Sequence, residues 1–339
     1  MRVALFTHDS SLRHTAPPGH PERPVRLEAV VSGVEASGLE IVRRAAPAAT
    51  IDLVTAVHDP AYVERIERFC RAGGGLLDPD TFAVAESWEA ALHSAGAGPA
   101  AVEALVGGEA DTAFIATRPP GHHAERDQAL GFCLLNNIAI AAMVLLERGE
   151  RVAVVDWDVH HGNGTQDMFY RDPRLLYVSL HEFPAYPGTG WVTEDGEGPG
   201  AGFTVNLPMP SGADGGAYRN AFRSAVLPVL RQFEPDWVLV SNGYDAHVAD
   251  PLAGICLVED DYFAMSAALR AVVPVNRVIF FLEGGYDLAA MRSAAAATLQ
   301  GLASSIDPDD AVAEGLALGS SGQLLRAGVE RAQRYWELG

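Results

Sequence analysis

The sequence predicts an α/β fold, a single domain with a mostly parallel central β-sheet flanked by helices. Three observations predict it. Short β-branched or aromatic runs alternate with longer stretches of helical spacing, an order that yields a parallel sheet covered on both faces. The Gly-Pro clusters at 187–200 and 207–216 are loops too short to separate domains, and no repeat or linker interrupts residues 1–339. With 339 residues, 48% of them apolar, the chain can bury a sizeable core.

Taken in order, 2–7 reads as the first strand. Asp59-Pro60 opens a helix that sets Tyr62, Val63, Ile66 and Phe69 on one face. Further strands are expected at 112–116, 151–156, 175–180, 203–207, 236–241 and 277–282. Helices are expected at 86–106, 136–148, 214–232, 260–271 and 287–303. The apolar run at 138–146 is too short to span a bilayer, so no membrane partner is expected. The N-terminal run stops at His8 and Asp9, too early for a signal peptide. The three cysteines, Cys70, Cys133 and Cys256, form no C-x-x-C pair and are odd in number. That argues for a reducing, cytoplasmic location. The net charge of −20, from 24 basic and 44 acidic side chains, repels phosphate backbones and argues against nucleic acid. It would draw in cationic substrates weakly, though solubility alone accounts for it equally well.

Chemistry gathers after the strands. TRPPGHHAE follows 112–116, DVHHGNG follows 151–156, HEFPAYPGTG follows 175–180, NGYDAHVADPLAG follows 236–241 and EGGYD follows 277–282. In a parallel sheet these carboxyl ends share one edge, where ligands bind. Asp158 and His160 stand two apart, so an extended segment points both the same way. Asp245 is a candidate third ligand, and such a set suits Zn²⁺ or Fe²⁺ with a position left open for chemistry. The competing reading is that Asp158 and His160 cap a loop. His122 and His123 fit a proton-transfer pair oriented by Asp156 and Asn163, the alternative being ordinary surface histidines. Tyr286 could donate to a developing oxyanion, or simply pack in a tight turn. His58 and His93 read as structural, His161 as pointing away from its neighbour, and His181 and His247 as supporting residues. Cys133 reads as a small apolar side chain.

The stretches HPERPVRL, RPPGHH, GFCLLNN, DWDVHHGNGTQ, YVSLHEFPAYPGTG, SNGYDAH and EGGYD together resemble the histone deacetylase family, which includes acetylpolyamine amidohydrolases and bacterial homologues. The resemblance runs from about His20 to about Leu288, and Asn163 within GNGTQ is similar to the class II branch. It implies the arginase–deacetylase fold, with about eight strands. It implies Zn²⁺ on Asp158, His160 and Asp245, polarising the substrate carbonyl and activating a water. His123 would be the general base, His122 with Asp156 a charge stabiliser, and Tyr286 the oxyanion donor. A structural monovalent cation, K⁺, would match Asp156, Asp158, His160, Ser179 and Leu180. Gly131, Phe132, Tyr186 and Leu252 would wall an acyl-lysine tunnel. Two departures stand out. Asn163 replaces the aspartate of class I enzymes and should make His123 less basic. Tyr186 stands where many relatives have phenylalanine and adds a hydroxyl.

The expected substrate is an acetylated lysine in a protein or peptide. An acetylated polyamine is the rival, because Asp250 stands two residues before Leu252, the position where polyamine-selective relatives carry an acid. Arginase-type hydrolysis would need a second metal whose ligands are missing around Asp158 and Asp245. A silent binding module would be expected to lose a ligand or the tyrosine. The oligomeric state is not legible.

Overall fold

The computed structural model describes residues 1–313 and 322–338. Its strands are β1 (Arg2–Thr7), β2 (Glu40–Ala45), β3 (Gly74–Leu76), β4 (Phe82–Val84), β5 (Thr112–Ile115), β6 (Val152–Asp156), β7 (Leu175–Glu182), β8 (Thr204–Met209), β9 (Trp237–Asn242) and β10 (Val278–Leu282). Eight of them form one sheet in the order β2-β1-β5-β10-β9-β6-β7-β8. Every neighbouring pair in it is parallel. β3 and β4 make a separate antiparallel ribbon.

The sheet's interior follows from composition. β5, β6, β8, β9 and β10 are buried at every residue, as strands covered on both faces must be. Alternation then divides their side chains between two apolar layers. Val278, Phe280 and Leu282 join one layer, with Trp157, Phe222 and Leu299. Ile279 and Phe281 join the other, with Val102, Ile138 and Trp237.

All seven expected strands are present with ends shifted by no more than two residues. The eighth, β2, was not anticipated. It is the sheet's edge, and its sequence EIVRRA is half charged and largely exposed, so it carries no buried apolar run. The helix expected at 214–232 is three pieces: Gly215–Ala221, a π-helical turn Phe222–Val226, and Leu227–Phe233. Pro228 has no N–H to give to the preceding turn, and the wider π turn lies just before it. No helix among the described residues is long and apolar enough to cross a membrane.

Because the sheet is parallel, the loops after β5, β6, β7, β9 and β10 all leave from one edge. β10 sits between β5 and β9, so the EGGYD turn emerges at the middle of that edge.

Candidate active site

Asp156 ends β6, and the chain beyond it presents Asp158 and His160. The loop after β9 brings Asp245 to the same point. His160 Nδ1 lies 3.2 Å from Asp158 Oδ1 and 3.1 Å from Asp245 Oδ2. Backbone amides fix the carboxylates: Asp158 Oδ1 accepts from His160 N (2.9 Å), Asp158 Oδ2 from Gly284 N (2.7 Å), and Asp245 Oδ1 from Val159 N (2.9 Å). Asp245 Oδ2 is left buried with no well-aligned hydrogen-bond donor. A buried, unsatisfied carboxylate oxygen facing another carboxylate and an imidazole fits a divalent cation.

A second group of ligand-type residues, His8, Glu89 and His93, lies at the surface. There the two imidazoles stack with centroids 3.4 Å apart, and Glu89 Oε1 already accepts from Arg13 at 2.7 Å. It lacks the buried orphan atom of the first group, so Asp158, His160 and Asp245 are the better metal set.

Gly284 is needed for this packing. A Cβ there would sit 2.0 Å from Asp245 Oδ2 and 2.7 Å from Asp158 Oδ2. Gly284→Ala is therefore expected to weaken metal affinity about 10–100-fold, the cost typical of displacing groups that orient ligands. Competition against a chromogenic chelator would measure it.

The loop after β5 delivers His122 and His123. His122 Nδ1 is 3.0 Å from Asp156 Oδ2, which also accepts from the Tyr177 hydroxyl at 3.1 Å. Burial opposes charge on His122, but Asp156, backed by Asp158 and Glu283, outweighs it and raises the group to about 10. His123 Nδ1 is 2.7 Å from Asn163 Oδ1, and Asn163 Nδ2 donates to Glu125 Oε1 at 2.7 Å. The Asn163 amide is thus oriented with its oxygen toward His123, so Nδ1 carries the proton and Nε2 keeps a free lone pair. Burial, then the adjoining His122 and His160, hold His123 well below the ordinary histidine range. With ring centroids 4.0 Å apart, the pair divides into one cationic and one neutral imidazole.

These groups open into a cavity of about 230 Å³. His122, His123, Asp158, His160 and Tyr286 line it, and Gly131, Phe132, Tyr186 and Leu252 form its walls. Gly131 and Phe132 both take left-handed backbone (φ 52° and 69°). A Cβ on Gly131 would lie 2.3 Å from His123 Cδ2, so only glycine lets this wall approach the imidazole. The Tyr186 ring meets His123 edge-on at 5.2 Å.

Several functional residues were not singled out from sequence. Asp80 and Pro120 also line the cavity. Behind Tyr286, the buried Arg26 guanidinium stacks at 4.9 Å from its ring, and donates to the carbonyls of Gly285 (2.6 Å) and Glu283 (2.5 Å). Glu22 joins Arg26 (2.7 Å) to Arg118, which it grips with both oxygens. Glu22 and Arg26 both belong to HPERPVRL, whose density of charge in an otherwise apolar segment was the available signal. Glu283 Oε2 accepts from the N–H groups of Gly121 (2.7 Å) and His122 (3.1 Å), which holds the two-histidine loop.

Asp250 is placed differently from expectation, whereas His161, His181 and His58 lie as anticipated. Asp250 is buried and is not among the cavity's lining residues. Its oxygens accept from Leu252 N (2.9 Å) and Tyr286 N (2.7 Å), so it shapes the turn and offers no free carboxylate at the mouth. His161 is turned aside, to Thr189 Oγ1 (2.8 Å) and Gln166 Oε1 (3.0 Å). His181 bonds to Ser179 Oγ (2.9 Å) and the Gly190 carbonyl (3.0 Å). His58 accepts from Asn136 N at 2.9 Å. Burial pushes the Cys133 thiol well above its usual range, so it stays un-ionised. Asp156, at the end of β6, lies opposite Ser179 of β7, so two of the residues expected around a monovalent cation stand side by side.

Comparison with known proteins follows the same lines. A family model described as the histone deacetylase domain matches residues 20–302. The chain is 40% identical to a histone deacetylase-like amidohydrolase of Pseudomonas aeruginosa, over 84% of this chain and 82% of that protein. It is 37% identical to a probable deacetylase of Archaeoglobus fulgidus, over 85% and 82%. The crystal structure of the HDA15 HD domain superposes with a TM-score of 0.90 at 32% identity, covering 99% of this chain and 95% of that one.

Proposed function

The chain belongs to the histone deacetylase family and is a deacetylase, and on that premise we propose that it is a zinc-dependent amidohydrolase acting on acetylated lysine side chains. The observation that carries this is the buried Asp245 Oδ2, unsatisfied beside Asp158 and His160, where a cavity ends on two histidines and a tyrosine. Asp158, His160 and Asp245 would hold the ion. Bound there, Zn²⁺ supplies Lewis-acid polarisation of the amide carbonyl and a lowered pKa for a water.

The protein's own groups do the rest. His123, neutral and with Nε2 free, takes the proton of the attacking water and returns it to the leaving amine. His122, held cationic by Asp156, stabilises negative charge on the tetrahedral species. The Tyr286 hydroxyl donates to the developing oxyanion, with Arg26 and Asp250 fixing its turn. Gly131, Phe132, Tyr186 and Leu252 confine the aliphatic arm. Asp156, Asp158, His160, Ser179 and Leu180 would hold K⁺ behind the zinc. Eight strands in one sheet, spanning residues 2–282, support reading 1–339 as one catalytic domain. The free Cys70, Cys133 and Cys256 support a cytoplasmic location.

The test is release of acetate from an acetyl-lysine peptide, with and without a chelator and with zinc restored. Tyr286→Phe is expected to cut kcat by about 10²–10³ with little change in KM. An unchanged rate would remove the tyrosine from the mechanism, and no release by the zinc-loaded wild type would remove acetyl-lysine as substrate. Asn163→Asp gives a separate check. A carboxylate against His123 Nδ1 raises that histidine's pKa, and the base works only when deprotonated. The acid limb of the kcat/KM profile is therefore expected to move to higher pH.

A further inference from the structure

His8, Glu89 and His93 have no part in the chemistry above. His8 follows β1, while Glu89 and His93 stand four apart on the helix Ser87–Val106 and so share one face of it. None of the three lines the catalytic cavity. In the sheet, β5 and β10 separate β1 from β9 and β6, the strands that lead to Asp245, Asp158 and His160. One nitrogen of each imidazole and one Glu89 oxygen lie within 4.8 Å of one another. An ion with ligands at about 2.0–2.2 Å needs its donors about 3–3.5 Å apart, so small side-chain rotations close the set.

Both imidazoles are prepared to ligate. His93 Nδ1 lies 2.6 Å from the Ala46 carbonyl, which can only accept, so Nδ1 carries the proton and Nε2 keeps its lone pair. A backbone carbonyl on the far nitrogen is how metal-binding histidines are commonly oriented. His8 Nδ1 accepts from Ser10 N (3.2 Å) and lies 2.8 Å from Ser10 Oγ, which can take an Nδ1 proton once Nε2 binds an ion. Among the described residues neither Nε2 has a hydrogen-bond partner. The rings stack 11° from parallel with centroids 3.4 Å apart, an arrangement that two imidazoliums would oppose. Burial, then His93, hold His8 below the ordinary histidine range, which favours the neutral form that ligates. His8 is anchored only to its near neighbour Ser10, so its ring is the one free to tilt toward a shared ion. Charge favours a cation as well. Glu89 Oε1 accepts from Arg13, and among the described residues no donor reaches Oε2. Asp9 and Glu86 stand near the same guanidinium, so three acids accompany one arginine.

We propose that His8, Glu89 and His93 form a second metal site, separate from the catalytic one, that takes a divalent first-row transition ion such as Zn²⁺. Two imidazoles and one carboxylate suit such an ion, whereas Ca²⁺ and Mg²⁺ take oxygen ligands. The ion fastens the turn after β1 to the helix Ser87–Val106 and, through the Ala46 carbonyl on His93, to the segment after β2. The site is partly open to water, so its ion exchanges with solvent, and protein dialysed during purification keeps only the catalytic one.

The experiment titrates Zn²⁺ by calorimetry into the dialysed full chain, prepared without a polyhistidine tag. The wild type is expected to take up one further ion. His8→Phe and His93→Phe keep an aromatic ring in the stack but remove its nitrogens, and each is expected to bind one ion fewer than the wild type. Glu89→Gln keeps an acceptor for Arg13 and should weaken the further ion roughly tenfold or more. Thermal melting without added zinc shows that each variant is folded. Excess zinc should then raise the melting temperature of the wild type and leave both phenylalanine variants unmoved, since only a ligand of the folded state stabilises it. No further ion in the wild type, or a further ion retained in either phenylalanine variant, overturns the proposal. The difference of one ion is counted against the wild type, so it stands or falls whether or not Asp158, His160 and Asp245 hold zinc.

Discussion

Asp245→Ala is expected to lose its metal and with it more than about 10³-fold in kcat/KM, because several kcal/mol of carbonyl polarisation and water activation go with the ion. The geometry gives the reason. Asp158 and His160 come from one short segment, while Asp245 arrives from another strand and closes the set against His160 Nδ1 at 3.1 Å. Two ligands from one loop are too few to hold an ion against water. Asp245 Oδ1 also accepts the N–H of Val159, between the other two ligands, so the alanine loosens their segment as well. Asp245→Asn keeps that acceptor and the side chain's shape, which separates loss of charge from loss of packing. Elemental analysis of the purified proteins is the measurement. Near one metal per wild-type chain and near none in either variant is the expected result. Full metal in Asp245→Ala would exclude the residue as a ligand.

Glu22→Ala is expected to cost about 3–5 kcal/mol of stability, since it strands two buried guanidiniums. Arg26 and Arg118 are both fully buried, and Glu22 is the acid that faces each of them. Burial alone would raise the Glu22 carboxyl, but Arg118, His14 and Arg26 more than offset it and hold the group well below the ordinary range. A depressed carboxyl contributes stability that is fully present above its unfolded pKa, about 4.3, and is lost as pH falls through its folded pKa. The wild type should therefore keep this contribution at neutral pH and surrender it only in acid below about pH 4. Urea unfolding at neutral and acidic pH would show a gap between wild type and variant that narrows as the wild-type glutamate protonates. A gap independent of pH would mean that packing, and not charge, is what Glu22 supplies. Because Arg26 holds the carbonyls of Glu283 and Gly285, the surviving folded variant should also lose kcat through a displaced Tyr286.

Much of this was legible in the chain. Buried parallel strands advertise themselves as unbroken apolar runs, and the residues that follow them must share an edge, so the gathering of Asp158, His160, Asp245, the two histidines and Tyr286 could be anticipated before any coordinates. β2 could not, because an edge strand facing water has no reason to be apolar. Asp80 was also hidden. Its loop joins the two strands of a short ribbon outside the main sheet, so no strand-end rule points to it. Asp250 misled for the converse reason: proximity in sequence to Leu252 suggested the cavity mouth, but a turn folded its carboxylate inward onto backbone amides. Glu22 reaches Arg118, and Arg26 reaches the carbonyls of Glu283 and Gly285, over long separations that periodicity does not report.

The strand order has a consequence for synthesis. β10 is the last strand among the described residues, yet it occupies the centre of the sheet between β5 and β9. A nascent chain emerging from its amino terminus must therefore hold two partial sheets, β2-β1-β5 and β9-β6-β7-β8, each with a buried-type apolar inner edge unpaired. Such edges are templates for pairing with other chains, and they stay open until residues 278–282 clear the ribosome. The same insertion that joins the halves carries Gly284 and Tyr286 into place, so assembly of the barrier against aggregation and assembly of the catalytic edge are one event.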